Sequence, residues 1–292
     1  MTMTTPSSNS DPAQDNYGAA SPSRKIEAIK RHLRDVSEDD VDNTVKVRAW
    51  IQKVRMQGKK VAFVELREER DWAIQAVVIA SATGTPVSKQ MVKWVGSLRV
   101  ESFVVVEGTI KRPVVPVKSC RVSNYEIHLT KVYCVSRARE TLRLGLAAAN
   151  RAVSDVGEEV SIINRAESQN VSDILDPAAS LSTHLNNPAM RRRAPVYQAI
   201  ADIRLAVHKI FSEYLDSRGF KQFFPPYILA TASEGGADVF EVKYFDEKAY
   251  LAQSPQFYKQ IEIAGGQKKV YCIGPAFRAE NSNTTRHLTE VC

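Results

Sequence analysis

The chain has 292 residues, of which 43% are hydrophobic and 25% are charged, and its formal net charge is +7 with a pI of about 9.2. These are ordinary values for globular proteins, and they exclude a chain that is disordered throughout. The excess of positive charge favours a polyanionic partner without establishing one.

The cysteines and apolar segments exclude several further classes. The four cysteines (Cys120, Cys134, Cys272 and Cys292) form no CxxC pair and have no metal-ligand spacing, so we expect reduced thiols and no metal site within this chain. No apolar run approaches the length of about 18 residues that a membrane helix needs, and no hydrophobic segment follows the start. We therefore expect a soluble, cytoplasmic protein with no membrane partner.

The N-terminal part changes composition near residue 24. Residues 1–23 are rich in Ser, Thr, Pro and Asn, which predicts a disordered tail. In residues 24–43, Ile26, Ile29 and Leu33 have helical spacing within the basic stretch "SRKIEAIKRHLRD". This pattern predicts a basic helix that either binds a phosphate backbone or forms a solvated surface helix, and both interpretations remain open.

Residues 44–137 contain five strand-like runs joined by turns. These runs are "VKVRAWIQ", "VAFVEL", "AIQAVVIA", "SFVVVEGTI" and "YEIHLTKVYCV". Five short strands in fewer than a hundred residues predict a small closed β-barrel, and the OB-fold is the common five-stranded solution. Because OB-folds bind oligonucleotides on one face, RNA binding is a hypothesis for this domain.

Two further regions follow the barrel. Residues 138–190 lack clean periodicity, so we expect a hinge with short helices. Residues 191–292 begin with an amphipathic helix predicted over 196–217, and Gly219 stands where a C-terminal capping glycine is expected. An extended segment with paired prolines, short strands and a second helix after "SP" complete this part.

The C-terminal part carries a set of charged and polar residues. Arg278 and Glu280 are two apart on a predicted strand, so their side chains share a face. Gln256 and Lys259 are three apart at the start of a predicted helix and also share a face. With Glu234 in the turn "SEGG", these groups suit an amino acid with an acidic side chain, and an arginine suits its activating phosphate. Each residue alone is more typical of a surface ion pair.

The motifs "GFKQFFPPYILATASEGGADVF", "YLAQSPQFYKQ" and "GPAFRAENSNTTRHLTE" closely resemble the eukaryotic cytosolic type of aspartyl-tRNA synthetase, a class II family, and the likeness runs from about residue 44 to 290. The resemblance implies an α+β multidomain fold, with an OB-fold barrel followed by the start of a class II antiparallel-sheet catalytic domain. It also implies an aspartate–tRNA ligase that uses ATP and Mg²⁺, binds tRNA(Asp) and forms a homodimer.

The resemblance implies roles at matching positions of this sequence. The residues expected to bind aspartate are Ser233, Glu234, Gln256, Lys259 and Arg278. Those expected to bind ATP are Arg278, which is also the catalytic arginine, Glu280, Arg286, His287 and Leu288. Those expected to bind the anticodon are Arg55, Phe63 and Gln75, where Phe63 stacks on a base and Gln75 bonds to a base edge. Pro226 matches the proline of the dimer interface, and the basic segment matches an N-terminal extension that adds affinity for tRNA.

The sequence departs from the family pattern at its end. The family continues "HLTE" with Phe-Thr, whereas this chain reads Val291–Cys292 within motif 2. The magnesium ligands, the arginine that binds the aspartate side chain and motif 3 would lie beyond it. Because each such group contributes several kcal/mol, we expect no useful aminoacylation by this chain alone. A tRNA-binding fragment without catalysis remains the alternative, and Lys259 argues against asparagine or lysine as the substrate.

Overall fold

The computed structural model describes residues 11–22, 26–151, 179–232, 238–281 and 288–291. The chain divides into two compact units, residues 1–201 and residues 202–292. Among the described residues, no helix is both long enough and apolar enough to cross a bilayer.

The first unit contains a closed barrel of five long strands. They are β3 (Thr44–Gln57), β4 (Val61–Arg67), β5 (Ala73–Ile79), β6 (Phe103–Lys111) and β7 (Val122–Ser136). Strand β3 pairs antiparallel with β4 and β6, β4 with β5, and β6 with β7, while β5 and β7 close the barrel in parallel. The predicted five-stranded OB-fold is confirmed.

The barrel interior follows from the alternation along each strand. In β6, every second residue is buried, and the buried set of all five strands forms one apolar core. Helix α1 (Lys89–Gly96) adds Met91, Val92 and Val95 to this core, and the Ser88 hydroxyl caps its start by accepting the Met91 N–H at 3.0 Å. This helix was not predicted from the sequence.

The disordered tail predicted for residues 1–23 is wrong for residues 11–22. A short 3₁₀ turn (Gln14–Asn16) leads into strand β1 (Tyr17–Ala19), which pairs in parallel with β7. The Asp11 carboxylate accepts hydrogen bonds from the hydroxyls of Tyr17 and Ser88, both at 2.7 Å. Composition alone did not predict this structure because its hydrogen-bond partners lie on the barrel. Residues 1–10 and residue 23 of the predicted tail lie outside the described residues.

The basic helix predicted in residues 24–43 is also wrong in its described part, which begins at residue 26. Strand β2 (Ile29–Lys30) pairs in parallel with β3, and 3₁₀ turns follow at Leu33–Asp35 and Glu38–Asp40. The Leu33 side chain is fully buried in the barrel core, whereas Ile29 is 75% exposed. A short isolated helix is marginally stable, so the open edge of β3 outcompetes it for backbone hydrogen bonds.

Short helices follow the barrel, in a region where the sequence predicts a hinge over residues 138–190, and the last of them runs past residue 190. They are α2 (Leu146–Ala149), α3 (Leu181–Asn186) and α4 (Pro188–Arg193), while residues 152–178 lie outside the described residues. Helix α5 (Pro195–Ser217) matches the predicted amphipathic helix. Gly219 has a φ of +77°, the left-handed conformation expected of a residue that ends a helix.

A buried ion network joins the barrel to α4. Arg67 on β4 donates to the Glu101 carboxylate at 2.6 Å, and both side chains are only 1% exposed. Arg193 on α4 donates to the other oxygen of Glu101 at 3.1 Å. The guanidinium groups of Arg67 and Arg193 both lie over the Trp50 ring, at 5.7 and 5.1 Å from its centroid. One carboxylate thus holds two cations that belong to different elements.

In its described residues, the second unit contains most of helix α5, a further helix and several small sheets. Strands β9 (Ile228–Leu229), β10 (Glu241–Tyr244) and β11 (Glu247–Leu251) form an antiparallel sheet in the order β10–β11–β9. Strands β8 (Lys221–Gln222) and β12 (Val270–Tyr271) pair in parallel, and β13 (Ala276–Phe277) pairs antiparallel with β14 (Glu290–Val291). Helix α6 spans Gln256–Ala264. Cys120, Cys134 and Cys272 carry free thiols, and Cys292 lies outside the described residues.

Candidate functional site

The three predicted anticodon residues lie on one outward face of the barrel. Arg55 on β3 stands opposite Phe63 on β4, and its guanidinium lies 4.8 Å from the centroid of the Phe63 ring. Phe63 stands opposite Val77 on β5, which makes Gln75 its diagonal neighbour on the same face. The structure therefore brings a cation, an aromatic ring and an amide together, as a platform that we call the reading face.

Two further polar side chains belong to the reading face. The Gln75 amide donates to the Glu126 carboxylate at 2.9 Å, and His128 Nε2 lies 2.8 Å from the other oxygen of Glu126. Neither residue was predicted from the sequence. The signal was present in "YEIHL", where Glu126 and His128 flank the fully buried Ile127 and so point outward together.

A second carboxylate lies beside Gln75. Glu65 on β4 stands opposite Gln75 and accepts a hydrogen bond from the Ser119 hydroxyl at 2.9 Å. Carboxylates repel a phosphate backbone, but they accept hydrogen bonds from base amino groups. An aromatic platform with a nearby cation and oriented polar groups is the arrangement that reads single-stranded bases by stacking and by edge hydrogen bonds.

In the second unit, helix α6 begins at Gln256, as predicted from "SPQ". The Ser254 hydroxyl accepts the Gln256 N–H at 3.2 Å, and the Lys259 N–H bonds to the Pro255 carbonyl at 3.0 Å. Gln256 and Lys259 therefore occupy the first turn and share a face, with Gln256 exposed and Lys259 half-buried. An amide and an ammonium at this position can bind a carboxylate-bearing ligand together.

Arg278 follows strand β13, next to the segment that enters α6. The Phe277 N–H bonds to the Ala252 carbonyl at 2.9 Å, and the Arg278 N–H bonds to the Thr289 carbonyl at 3.0 Å. The Ala279 N–H bonds to the Asp238 carbonyl at 3.0 Å, so successive N–H groups turn to opposite sides as in an extended chain. The extended backbone places Arg278 and Glu280 on one side of the chain, although the strand predicted to carry them ends at Phe277, and the Arg278 side chain is exposed.

The remaining predicted residues divide into two groups. Leu288 and Pro226 lie within the described residues, and both side chains are exposed. Four others lie outside the described residues: Ser233, Glu234, Arg286 and His287. Within the described ranges, no group of three or more His, Cys, Asp or Glu side chains is arranged to hold a metal ion.

Comparison with known proteins gives two family matches and several relatives. Residues 45–135 match the OB-fold nucleic acid binding domain, and residues 180–292 match the class II tRNA synthetases (D, K and N). The chain is 38% identical over 283 residues to the cytoplasmic aspartate–tRNA ligase of Pongo abelii, covering 96% of this chain and 52% of that protein. The chain thus spans about half the length of the curated relatives it matches.

The chain is also similar to solved structures of aspartyl- and asparaginyl-tRNA synthetases. The aspartyl tRNA synthetase from Entamoeba histolytica is similar with a TM-score of 0.73 and 29% identity, over 94% of this chain and 52% of that one. The asparaginyl-tRNA synthetase from Pyrococcus horikoshii complexed with asparaginyl-adenylate is similar with a TM-score of 0.66 and 28% identity, over 89% of this chain and 51% of that one.

Proposed function

We infer from its two family matches and its relatives that this chain belongs to the class II aspartyl-tRNA synthetase family, and we propose that the protein activates aspartate with ATP and transfers it to tRNA(Asp) in the cytoplasm. The barrel reads the anticodon through Arg55, Phe63 and Gln75. The second unit holds aspartate and ATP. The reading face, built on a closed OB-fold, is the single observation that carries the proposal.

The proposed reaction has two steps. The aspartate α-carboxylate attacks the α-phosphorus of ATP, which gives aspartyl-adenylate and pyrophosphate. The terminal adenosine hydroxyl of tRNA then takes the aspartyl group and AMP leaves. Mg²⁺, when bound, neutralises phosphate charge, and no residue is assigned to hold it. Rate enhancement comes from positioning and charge stabilisation rather than from a protein nucleophile.

Individual side chains have distinct roles in this proposal. The Lys259 ammonium pairs with the side-chain carboxylate of aspartate, and the neighbouring Gln256 amide bonds to the same amino acid. The Arg278 guanidinium binds the α-phosphate and stabilises the charge that develops there. Ser233, Glu234 and Glu280 complete the proposed aspartate and ATP contacts, together with Arg286, His287 and Leu288.

We also propose that the protein acts as a homodimer. Several large apolar side chains of α5 are 46–68% exposed, including Ile203, Val207, Ile210 and Phe211. A contiguous exposed apolar face of this kind is typical of a protein interface, and self-complementary patches favour two-fold dimers. Light scattering on wild-type protein and on an Ile203→Lys/Ile210→Lys variant tests this, with a dimer expected only for the wild type.

Binding of tRNA(Asp) tests the proposed reading face. Removing a stacking side chain costs about 1–3 kcal/mol per base, so Phe63→Ala should weaken tRNA(Asp) binding at least fivefold. Phe245→Ala serves as the matched control because Phe245 is 79% exposed in the second unit. Equal affinity of wild type and Phe63→Ala would refute the assignment of this face.

Binding of an aspartyl-adenylate analogue tests the second unit. Lys259→Ala should weaken that analogue about thirtyfold or more, because truncating one partner of a hydrogen-bonded charge pair costs about 2–5 kcal/mol. Lys243→Ala, an exposed lysine on β10, is the control. If Lys259→Ala bound the analogue as tightly as wild type, or if wild type preferred an asparaginyl analogue, the aspartate assignment would fail.

A non-catalytic tRNA-binding role is the second candidate, because the barrel is closed within the described residues. Salt-sensitive tRNA(Asp) binding without binding of the aspartyl-adenylate analogue would favour that role. Binding of both ligands would favour the ligase.

A further inference from the structure

The reading face contains a chain of hydrogen bonds that runs across strands β5 and β7. Gln75 and Glu126 are directly opposite each other in the β5–β7 pairing, and Val77 and His128 form the next side-by-side pair. The Gln75 Nε2 atom lies 2.9 Å from Glu126 Oε2, and His128 Nε2 lies 2.8 Å from Glu126 Oε1. Each oxygen of the carboxylate therefore has its own partner.

The chemistry of these groups fixes their direction. An ionised carboxylate accepts hydrogen bonds only, so the Gln75 amide nitrogen and the His128 ring nitrogen are both donors. Because Gln75 gives its nitrogen to Glu126, its carbonyl oxygen is turned to the other side of the amide. Gln75 thus presents its carbonyl oxygen as a hydrogen-bond acceptor. Turning the amide by 180° would put its nitrogen in that place, but it would break the hydrogen bond to Glu126.

His128 holds the carboxylate that sets this direction. The Glu126 side chain is only 13% exposed, whereas the His128 side chain is 39% exposed and forms the outer cover of the pair. A shielded carboxylate oxygen that loses its donor carries a desolvation cost, so Glu126 would rotate toward water. Rotation of Glu126 would release the Gln75 amide.

The neighbouring aromatic ring places a base next to Gln75. Phe63 stands directly opposite Val77, and Gln75 is its diagonal neighbour, a distance of about 7–8 Å between strand positions on one face. A base that stacks on Phe63 therefore has an edge within reach of the Gln75 carbonyl oxygen. An acceptor at this place favours a base edge that carries an N–H donor.

We propose that His128 is a positioning residue of the reading face: through Glu126 it orients the Gln75 amide, so that this face selects a base with an N–H donor at one anticodon position. The proposal rests on the proposed function, because it concerns how the same face distinguishes bases. It assigns to His128 an effect on discrimination and leaves stacking and phosphate contacts unchanged.

The test measures affinity for anticodon stem–loop RNAs. The probes are the stem–loop of tRNA(Asp) and three versions in which one anticodon base is replaced in turn. For His128→Ala, we expect the ratio of affinities between the original and the substituted base at one position to fall about tenfold. The slope of log affinity against log salt concentration should stay the same, because no phosphate contact is removed.

Two variants separate positioning from a structural effect. In His128→Gln, the amide nitrogen can occupy the place of the ring Nε2 and donate to Glu126, so discrimination should be restored. His32→Ala is the matched control, since His32 also lies beside a carboxylate, 3.6 Å from Glu68, and is 46% exposed, but outside the reading face. It should leave discrimination unchanged.

Failure of this proposal differs from failure of the proposed function. If Phe63→Ala weakens binding but His128→Ala keeps full discrimination, the positioning role is refuted and the reading face stands. A loss of discrimination in His128→Gln equal to that in His128→Ala would also refute it. If Phe63→Ala has no effect and wild type does not distinguish the stem–loops, the reading face itself is refuted.

Discussion

Replacing Glu101 with Gln should strongly destabilise the first unit. The substitution keeps the shape of the side chain but removes the negative charge that faces Arg67 at 2.6 Å, where both side chains are 1% exposed. Arg67 Nε and Nη1 have no hydrogen-bond partner among the described residues, so the guanidinium depends on Glu101. Leaving one charge of a buried pair without its partner costs about 3–5 kcal/mol. Arg193, whose side chain is 30% exposed, can turn to water and adds little.

Urea unfolding followed by tryptophan fluorescence measures this loss. The three tryptophans, Trp50, Trp72 and Trp94, all lie in the first unit, so the signal reports that unit alone. The expected loss is a large fraction of the about 5–15 kcal/mol that stabilises a typical domain.

The control removes an exposed carboxylate of the same type. Glu38 pairs with Arg112, and their side chains are 58% and 64% exposed, so Glu38→Gln should cost at most about 1 kcal/mol. A double replacement, Arg67→Met with Glu101→Leu, should recover much of the stability lost in Glu101→Gln, because apolar pairs replace buried ion pairs at little cost. If Glu101→Gln and Glu38→Gln unfold at the same urea concentration, the buried Arg67–Glu101 pair contributes no more to stability than the exposed pair, which would contradict the prediction.

Two other substitutions test the pH dependence of the free energy of unfolding and the packing of the barrel. Burial raises the pKa of Glu68 above its ordinary value of 4.5, against the opposing hydrogen bond from the Leu33 N–H. The folded state therefore disfavours the ionised form, so stability is full below pH 4.5 and falls as pH rises through the raised pKa. Glu68→Gln should flatten that fall in unfolding free energies measured against pH, and an unchanged slope would contradict this. Gly108→Ala should cost about 1–3 kcal/mol because its Cβ would meet the His128 carbonyl oxygen at 2.5 Å. Gly145→Ala, with nothing within 4 Å of the added carbon, should be nearly neutral in the same urea assay, and equal values for the two would refute the packing argument.

The sequence predicted the barrel because its strands carry their own pattern. Alternation in "VKVRAWIQ" matches the burial of β3, in which Val45, Val47, Ala49 and Ile51 are buried and the residues between them are not. Helix α1 also has a sequence signal, with Ser88 as a capping residue before Met91, Val92 and Val95, but this signal is shorter than the strand patterns on either side of it. The structure of residues 11–22 and 26–35 could not be predicted locally, because it depends on partners on β3 and β7 that lie far away in the chain.

In the candidate site, too, local patterns were predicted and contacts between distant strands were not. Gln256 and Lys259 were predicted together because helical spacing alone puts them on one face. Glu126 and His128 were missed because their relation to Gln75 is created by the pairing of β5 with β7, and no short stretch of sequence contains that pairing. Contacts made by strand register need the folded structure, whereas contacts made within one helix do not.

The parallel pairing of β1 with β7 has a consequence for biosynthesis. Tyr17 pairs with Val132, which the ribosome adds more than a hundred residues later. At about 5–20 residues per second, the N-terminal segment waits roughly five to twenty seconds for its partner strand. During translation this segment is open to chaperones and proteases, and the emergence of β7 from the exit tunnel ends that exposure.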